Sequence, residues 1–143
     1  MPLGPLQVVS RLARERYQKY QRHLRAFVDF HQALQTAVAD PHLQETYGQF
    51  AVSPIHNDEY FNVRFCGREI RFKFDIDPAR ASHIGTLSCI QNGLHQTPPP
   101  FVTLHFQGNG LLAREESEMQ DEINVTFDAG ALYIVVGVFA TLP

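Results

Sequence analysis

The strongest constraint on this chain is a seam of residues near its amino end. Leu6, Ser10, Ala13, Tyr17, Tyr20, Leu24, Phe27, His31, Leu34 and Val38 follow one another at alternating steps of four and three. Such spacing holds them on one stripe of a helix, an a/d pattern sustained over more than four heptads. Pro5 suits a first helical turn, where a missing N–H costs nothing. Asp40-Pro41 closes the segment, because a residue before proline is pushed out of the helical region. The seam therefore predicts one long helix, or two in tandem, over residues 5–39. About 35 residues at ~1.5 Å rise span on the order of 50 Å. A compact domain of this length has a radius of gyration of only ~14–15 Å. The helix must overhang the globule, break near Ser10 or bend, or be matched by the same helix of a second chain.

The rest of the chain can build the body that such a helix needs. Of 143 residues, 44% are hydrophobic and 19% charged, which supports one packed domain and excludes intrinsic disorder. We expect a single domain over 1–143, helical over 1–40 and β-rich over 41–143. Eleven Phe and no Trp suit strands and a packed interior. The longest apolar run, Ala129 to Leu142, falls short of the ~20 residues of a membrane span, so no membrane is expected as a partner.

Gln49 to Val52 reads as a first strand. Tyr60–Cys66 and Glu69–Asp75 alternate with period two around Gly67-Arg68, a Gly-X pair suited to a type II′ hairpin turn. That turn sets Phe65 against Ile70, Val63 against Phe72 and Phe61 against Phe74 on an apolar face. Asn62, Arg64, Cys66, Glu69, Arg71 and Lys73 share the other face, with Arg64 directly opposite Arg71. His83–Gln91, Phe101–Gln107 and Glu122–Phe127 are further strands, and Thr97–Pro100 is a stiff connector. Residues 111–122 read as a short helix or an exposed acidic loop. Ala131–Leu142, almost wholly apolar and rich in β-branched residues, reads as a buried strand. A buried helix capped by Asp128 is the alternative that periodicity does not separate. This order is an α+β signature: one long N-terminal helix, broken or continuous, packed on a mostly antiparallel sheet of about five to seven strands.

The net charge of −3 hides a division. Residues 1–39 hold six basic and two acidic groups, a net of +4, and the remainder six basic and thirteen acidic, a net of −7. The chain as a whole is thus no nucleic-acid binder by balance, but its parts can attract each other or an outside partner. Arg11, Arg14, Gln18, Arg22 and Arg25 fall within roughly 80° of one another on the helix, opposite the seam. This row of guanidiniums can meet phosphates or an acidic protein surface, or can simply be the solvated face of an amphipathic helix. On the hairpin, like charges at Arg64 and Arg71 destabilise the ladder unless an anion neutralises them. The anion would be a phosphate, an acidic partner, or the chain's own Glu115, Glu116, Glu118, Asp121 and Glu122.

Catalytic spacing is absent. The seven histidines (His23, His31, His42, His56, His83, His95 and His105) show no metal-ligand pattern, and no metal or cofactor is expected. His31 falls in the seam and reads as a hydrogen-bonded core or interface residue. No GxSxG or phosphate loop occurs, and Asp75 and Asp77 before Pro78 read as a strand end. Cys66 and Cys89 form no CxxC, and Cys66 on the Arg64 face has no local activating motif. Two thiols and no apolar secretory segment in residues 1–25 lead us to expect a cytoplasmic protein, and an idle Asn124 sequon. The functional expectation is a small interaction or accessory protein that docks by surface complementarity and makes no bonds. Its binding residues would be Arg11, Arg14, Arg22 and Arg25 on the helix and Arg64, Arg71 and Lys73 on the hairpin. The partner would be a protein, or a second copy through the N-terminal helix. The alternatives are a nucleic-acid-associated factor using the same basic groups, and a ligand binder or enzyme with dispersed residues on the sheet.

Overall fold

A computed structural model describes residues 4–48, 50–76, 84–93, 98–110, 112–113, 124 and 128–142. The seam becomes one unbroken helix, α1 (Pro5–Val38), so neither a break nor a tandem pair resolves its length. No glycine or proline interrupts residues 6–38. At the amino end Gly4 N–H donates to Gln7 Oε1 at 2.8 Å, satisfying one donor that the first turn leaves unpaired. Asp40-Pro41 does end α1, and it also starts a second helix, α2 (Pro41–Tyr47), which the seam did not reveal. The Asp40 carboxylate accepts from His42 N–H at 3.0 Å and Pro41 takes the first helical position, both standard roles at an N-terminus.

Six strands follow: β1 (Phe50–Val52), β2 (Tyr60–Phe65), β3 (Arg68–Ile76), β4 (Ile84–Gln91), β5 (Val102–Gln107) and β6 (Leu112–Ala113). They pair in chain order as an antiparallel meander, which gives the expected α+β architecture. α1 lies on one face of it. The Phe27 ring sits 5.5 Å from Phe61 and 5.3 Å from Phe74, and Phe30 sits 5.6 Å from Phe61 and 6.1 Å from Phe72. Val63, Ile70, Leu87, Cys89, Leu104 and Phe106 complete the sheet side of the core.

The hairpin differs from the expected one in turn and register. Its central residues are Cys66 and Gly67, with φ of 53° and 75°. Two positive values define a type I′ turn, whose twist matches the flanking strands, and glycine occupies the second position. The register therefore pairs Val63 with Ile70, Phe61 with Phe72, Asn62 with Arg71 and Arg64 with Glu69. The slip amounts to two residues, so every side chain that stays in a strand keeps its predicted face. The opposition of Arg64 and Arg71 does not occur, and Cys66 stands in the turn rather than on the polar strand face.

The second correction concerns the carboxyl end. Residues 131–142 are not a strand: Asp128–Ala140 forms a helix, α3, packed against α1. Ala131, Ile134, Val135 and Val138 are buried at helical spacing. A single helix cannot cover six strands, and α3 supplies the second element on the same face. Burial then overrides the modest helix penalty of its valines. Of the acidic stretch, Leu112–Ala113 pairs with β5 as an edge strand instead of forming a helix or loop. Glu115, Glu116, Glu118, Asp121 and Glu122, and the strand expected around Ile123, Val125 and Phe127, lie outside the described residues.

Candidate functional site

α1 is one helix with two environments. From His23 onward its inner face is buried: His23, Leu24, Phe27, Phe30, His31 and Leu34 all enter the core. Residues 5–18 contain no buried residue. Eighteen residues are about five full turns, so positions eighteen apart share one face. Leu6, Val9, Leu12 and Ala13 therefore repeat the positions of Leu24, Phe27, Phe30 and His31. The apolar stripe continues outward and stays exposed, with no described residue packed over it. Leu6 is 85% exposed, Val9 63%, Tyr17 62% and Leu12 47%.

Most of the basic residues stand behind that stripe. Arg11, Arg14, Arg22 and Arg25 are exposed, as the helical wheel requires for the face opposite the seam. Arg11 makes a loose pair with Glu15 at 3.9 Å, the one ion pair among the described residues. The Arg22 stem lies over the backbone of Gly108, so part of this side chain packs against the fold. Sequence reasoning missed Arg16. It stands eighteen residues before the buried Leu34, in the middle of the exposed apolar stripe, and that same spacing would have found it. The projecting half of α1 thus carries one cation, Arg16, within its apolar ridge and a basic face behind it.

Arg64, Arg71 and Lys73 lie elsewhere, on the sheet face turned away from α1. There Arg71 is held firmly. Its guanidinium carbon sits 4.0 Å above the centre of the Tyr60 ring, and its Nε–H donates to Asn62 Oδ1 at 3.3 Å. Asn92 Nδ2 donates to the same Asn62 oxygen at 2.8 Å and to Glu69 Oε2 at 3.2 Å. Arg64 and Lys73 are exposed. The seven residues expected to bind thus form two surfaces on opposite sides of the sheet, and no single site joins them.

No family model, curated protein or solved structure matches this chain. Chemistry has to be read from the residues alone. Among the described residues no group of three or more His, Cys, Asp or Glu could hold a metal ion, and no helix is long and apolar enough to cross a membrane. His31 Nε2 donates to the Ser53 carbonyl at 2.7 Å while its ring packs edge-on against Phe61, the hydrogen-bonded core role that its seam position implied. His23 Nδ1 likewise donates to the Lys19 carbonyl at 2.8 Å. His105 Nδ1 is buried with no hydrogen-bond partner among the described residues. His83, His95 and Asp77 lie outside the described residues. Both thiols are free, Cys66 exposed and Cys89 buried. Burial pushes the Cys89 thiol up to about 12, which leaves it without nucleophilic thiolate at neutral pH.

Proposed function

We propose that this protein is a small docking factor that presents the projecting half of α1 to a groove on a protein partner. The observation that carries the reading is the exposed continuation of the core stripe: Leu6, Val9, Leu12 and Tyr17 stand outside the fold on the helix whose later turns fill the core. An apolar ridge of this kind is an interaction surface more often than a solvated one. Its spacing is that of an amphipathic helix laid into a groove. Arg16 within the ridge, and Arg11 and Arg14 behind it, call for acidic groups around that groove. Pairing with a second copy would set two basic segments together, so the partner is a different, acidic protein. The free thiols suit action in the reducing cytoplasm.

The test uses tagged full-length protein with quantitative affinity capture. Wild type is compared with the triple variant Leu6→Ser/Val9→Ser/Leu12→Ser and with the single variant Arg16→Glu. Both should lose the same captured protein while the far-UV spectrum holds. Retention of every captured protein by both variants sinks the reading. Sedimentation as a stable dimer, lost in the triple variant, would replace it with self-pairing. Steeply salt-dependent nucleic-acid binding, lost on reversing Arg14 and Arg25, would replace it with the nucleic-acid reading.

A further inference from the structure

We infer that the sheet face turned away from α1 carries a binding site for a phosphate monoester, centred on Arg71. This site is separate from the docking helix and stands or falls independently of it.

The argument begins with how Arg71 is fixed. Stacking on Tyr60 at 4.0 Å and the bond from Nε to Asn62 at 3.3 Å hold the guanidinium plane, so its orientation is set before any ligand arrives. Those contacts use one ring face and one of five N–H donors. The two terminal nitrogens have no partner among the described residues. Two donors converge on Asn62 Oδ1, from Arg71 and from Asn92, which fixes that atom as the amide oxygen. The Asn62 Nδ2 donors then have no partner among the described residues and stand beside the guanidinium. Lys73 stands two residues along the same strand face, opposite Tyr60, with no ion pair among the described residues. Of the acidic groups on this strand face, Glu69 is engaged by Asn92 at 3.2 Å and Asp75 Oδ1 accepts from the Ile76 N–H at 2.8 Å.

The result is a cluster rich in donors and poor in acceptors. A planar carboxylate matches the Arg71 fork alone. A phosphate monoester has three terminal oxygens and close to two negative charges at neutral pH. Two oxygens can take the fork bidentately while the third reaches Asn62 Nδ2 or the Lys73 ammonium. Two cations at the site also match a dianion better than a monoanion.

The experiment is calorimetric titration of the full-length protein with inorganic phosphate and glycerol phosphate, with acetate as the planar control. Both phosphates should bind and acetate should not. Arg71→Lys keeps the charge and removes the fork, and should weaken phosphate at least about tenfold. Arg25→Ala on α1 should leave binding unchanged. Asn62→Asp, which places an acceptor beside the ligand, should abolish binding. Should Arg71→Lys fail to fold, Lys73→Met serves in its place with a loss of the same sign. No heat with either phosphate, binding indifferent to Arg71 and Lys73, or equal affinity for acetate would each overturn the proposal.

Discussion

Two aromatic residues ten positions apart on the same seam of α1 should have opposite weights in the stability of this protein. Phe27 is 1% exposed and packs on Phe61 and Phe74 at 5.5 and 5.3 Å. Phe27→Ala removes a ring from a close-packed site and leaves a cavity, at a cost of about 3–5 kcal/mol. For a domain of this size that lowers the melting temperature by roughly 10–17 °C. Tyr17 is 62% exposed and borders solvent. Tyr17→Ala removes little buried area and improves intrinsic helix propensity by about 0.5 kcal/mol, so its effect should lie within about 0.5 kcal/mol of zero. The assay is urea denaturation followed by far-UV circular dichroism at low protein concentration, where self-association contributes nothing. Amide exchange gives an independent reading. Residues 5–18 should exchange by local fraying, and residues 24–34 only through opening of the core. A cost above about 1.5 kcal/mol for Tyr17→Ala, or equal protection along the helix, would refute the division of α1 into a packed and a projecting half.

Three further outcomes follow from the packing. Cys89 keeps its proton up to about 12 in the fold but only to about 9.0 when exposed, so unfolding releases a proton between those values. Stability should be fully present below pH 9 and decline as pH rises toward 12. Cys89→Ala should flatten that slope in thermal melts, and a native thiol titration should report Cys66 alone. Cys66→Asn should raise stability by about 0.5–1 kcal/mol, because asparagine tolerates the positive φ of a type I′ turn better than cysteine does. A fall in the denaturation midpoint would contradict the observed turn. Gly85→Ala would place a Cβ 2.5 Å from the Phe106 ring. The ring is buried and cannot move aside cheaply, so about 1–3 kcal/mol should be lost. Phe106→Leu in the same chain should recover part of that loss, which a double-mutant cycle by denaturation would show.

Sequence carried far where one periodicity met one environment. The four-three seam of α1 and the two-residue alternation of β2 and β3 each named a face, and those faces were found. It failed where two local structures satisfy the same pattern. Gly67-Arg68 and Cys66-Gly67 both make plausible two-residue turns, and glycine alone does not say which position it fills. Only the strand twist selects type I′, and the rejected choice produced a false clash between Arg64 and Arg71. Residues 131–142 posed the same difficulty in stronger form. A run apolar at every position has no polar phase, so helix and strand are equally satisfied until the uncovered sheet face demands a helix.

The candidate sites show the limit from another side. Charge counting found Arg11, Arg14, Arg22, Arg25, Arg64, Arg71 and Lys73, yet it treated them as one kind of residue. The fold separates them by what lies underneath. Arg22 covers Gly108, Arg71 is clamped between Tyr60 and Asn62, and Lys73 is exposed. Arg16, which the charge count held but the stripe did not, sits where the core pattern asks for an apolar residue. A charge that breaks an apolar pattern outside the core carries no burial penalty of its own. It acquires one only when a partner covers it, and such a partner must then bring the compensating acid. The sheet face and the helix lie on opposite sides of the core, too far apart for a shared ligand to couple them directly. Their charges therefore have to be explained separately, by one acidic protein partner at the helix and one small anion at the sheet face.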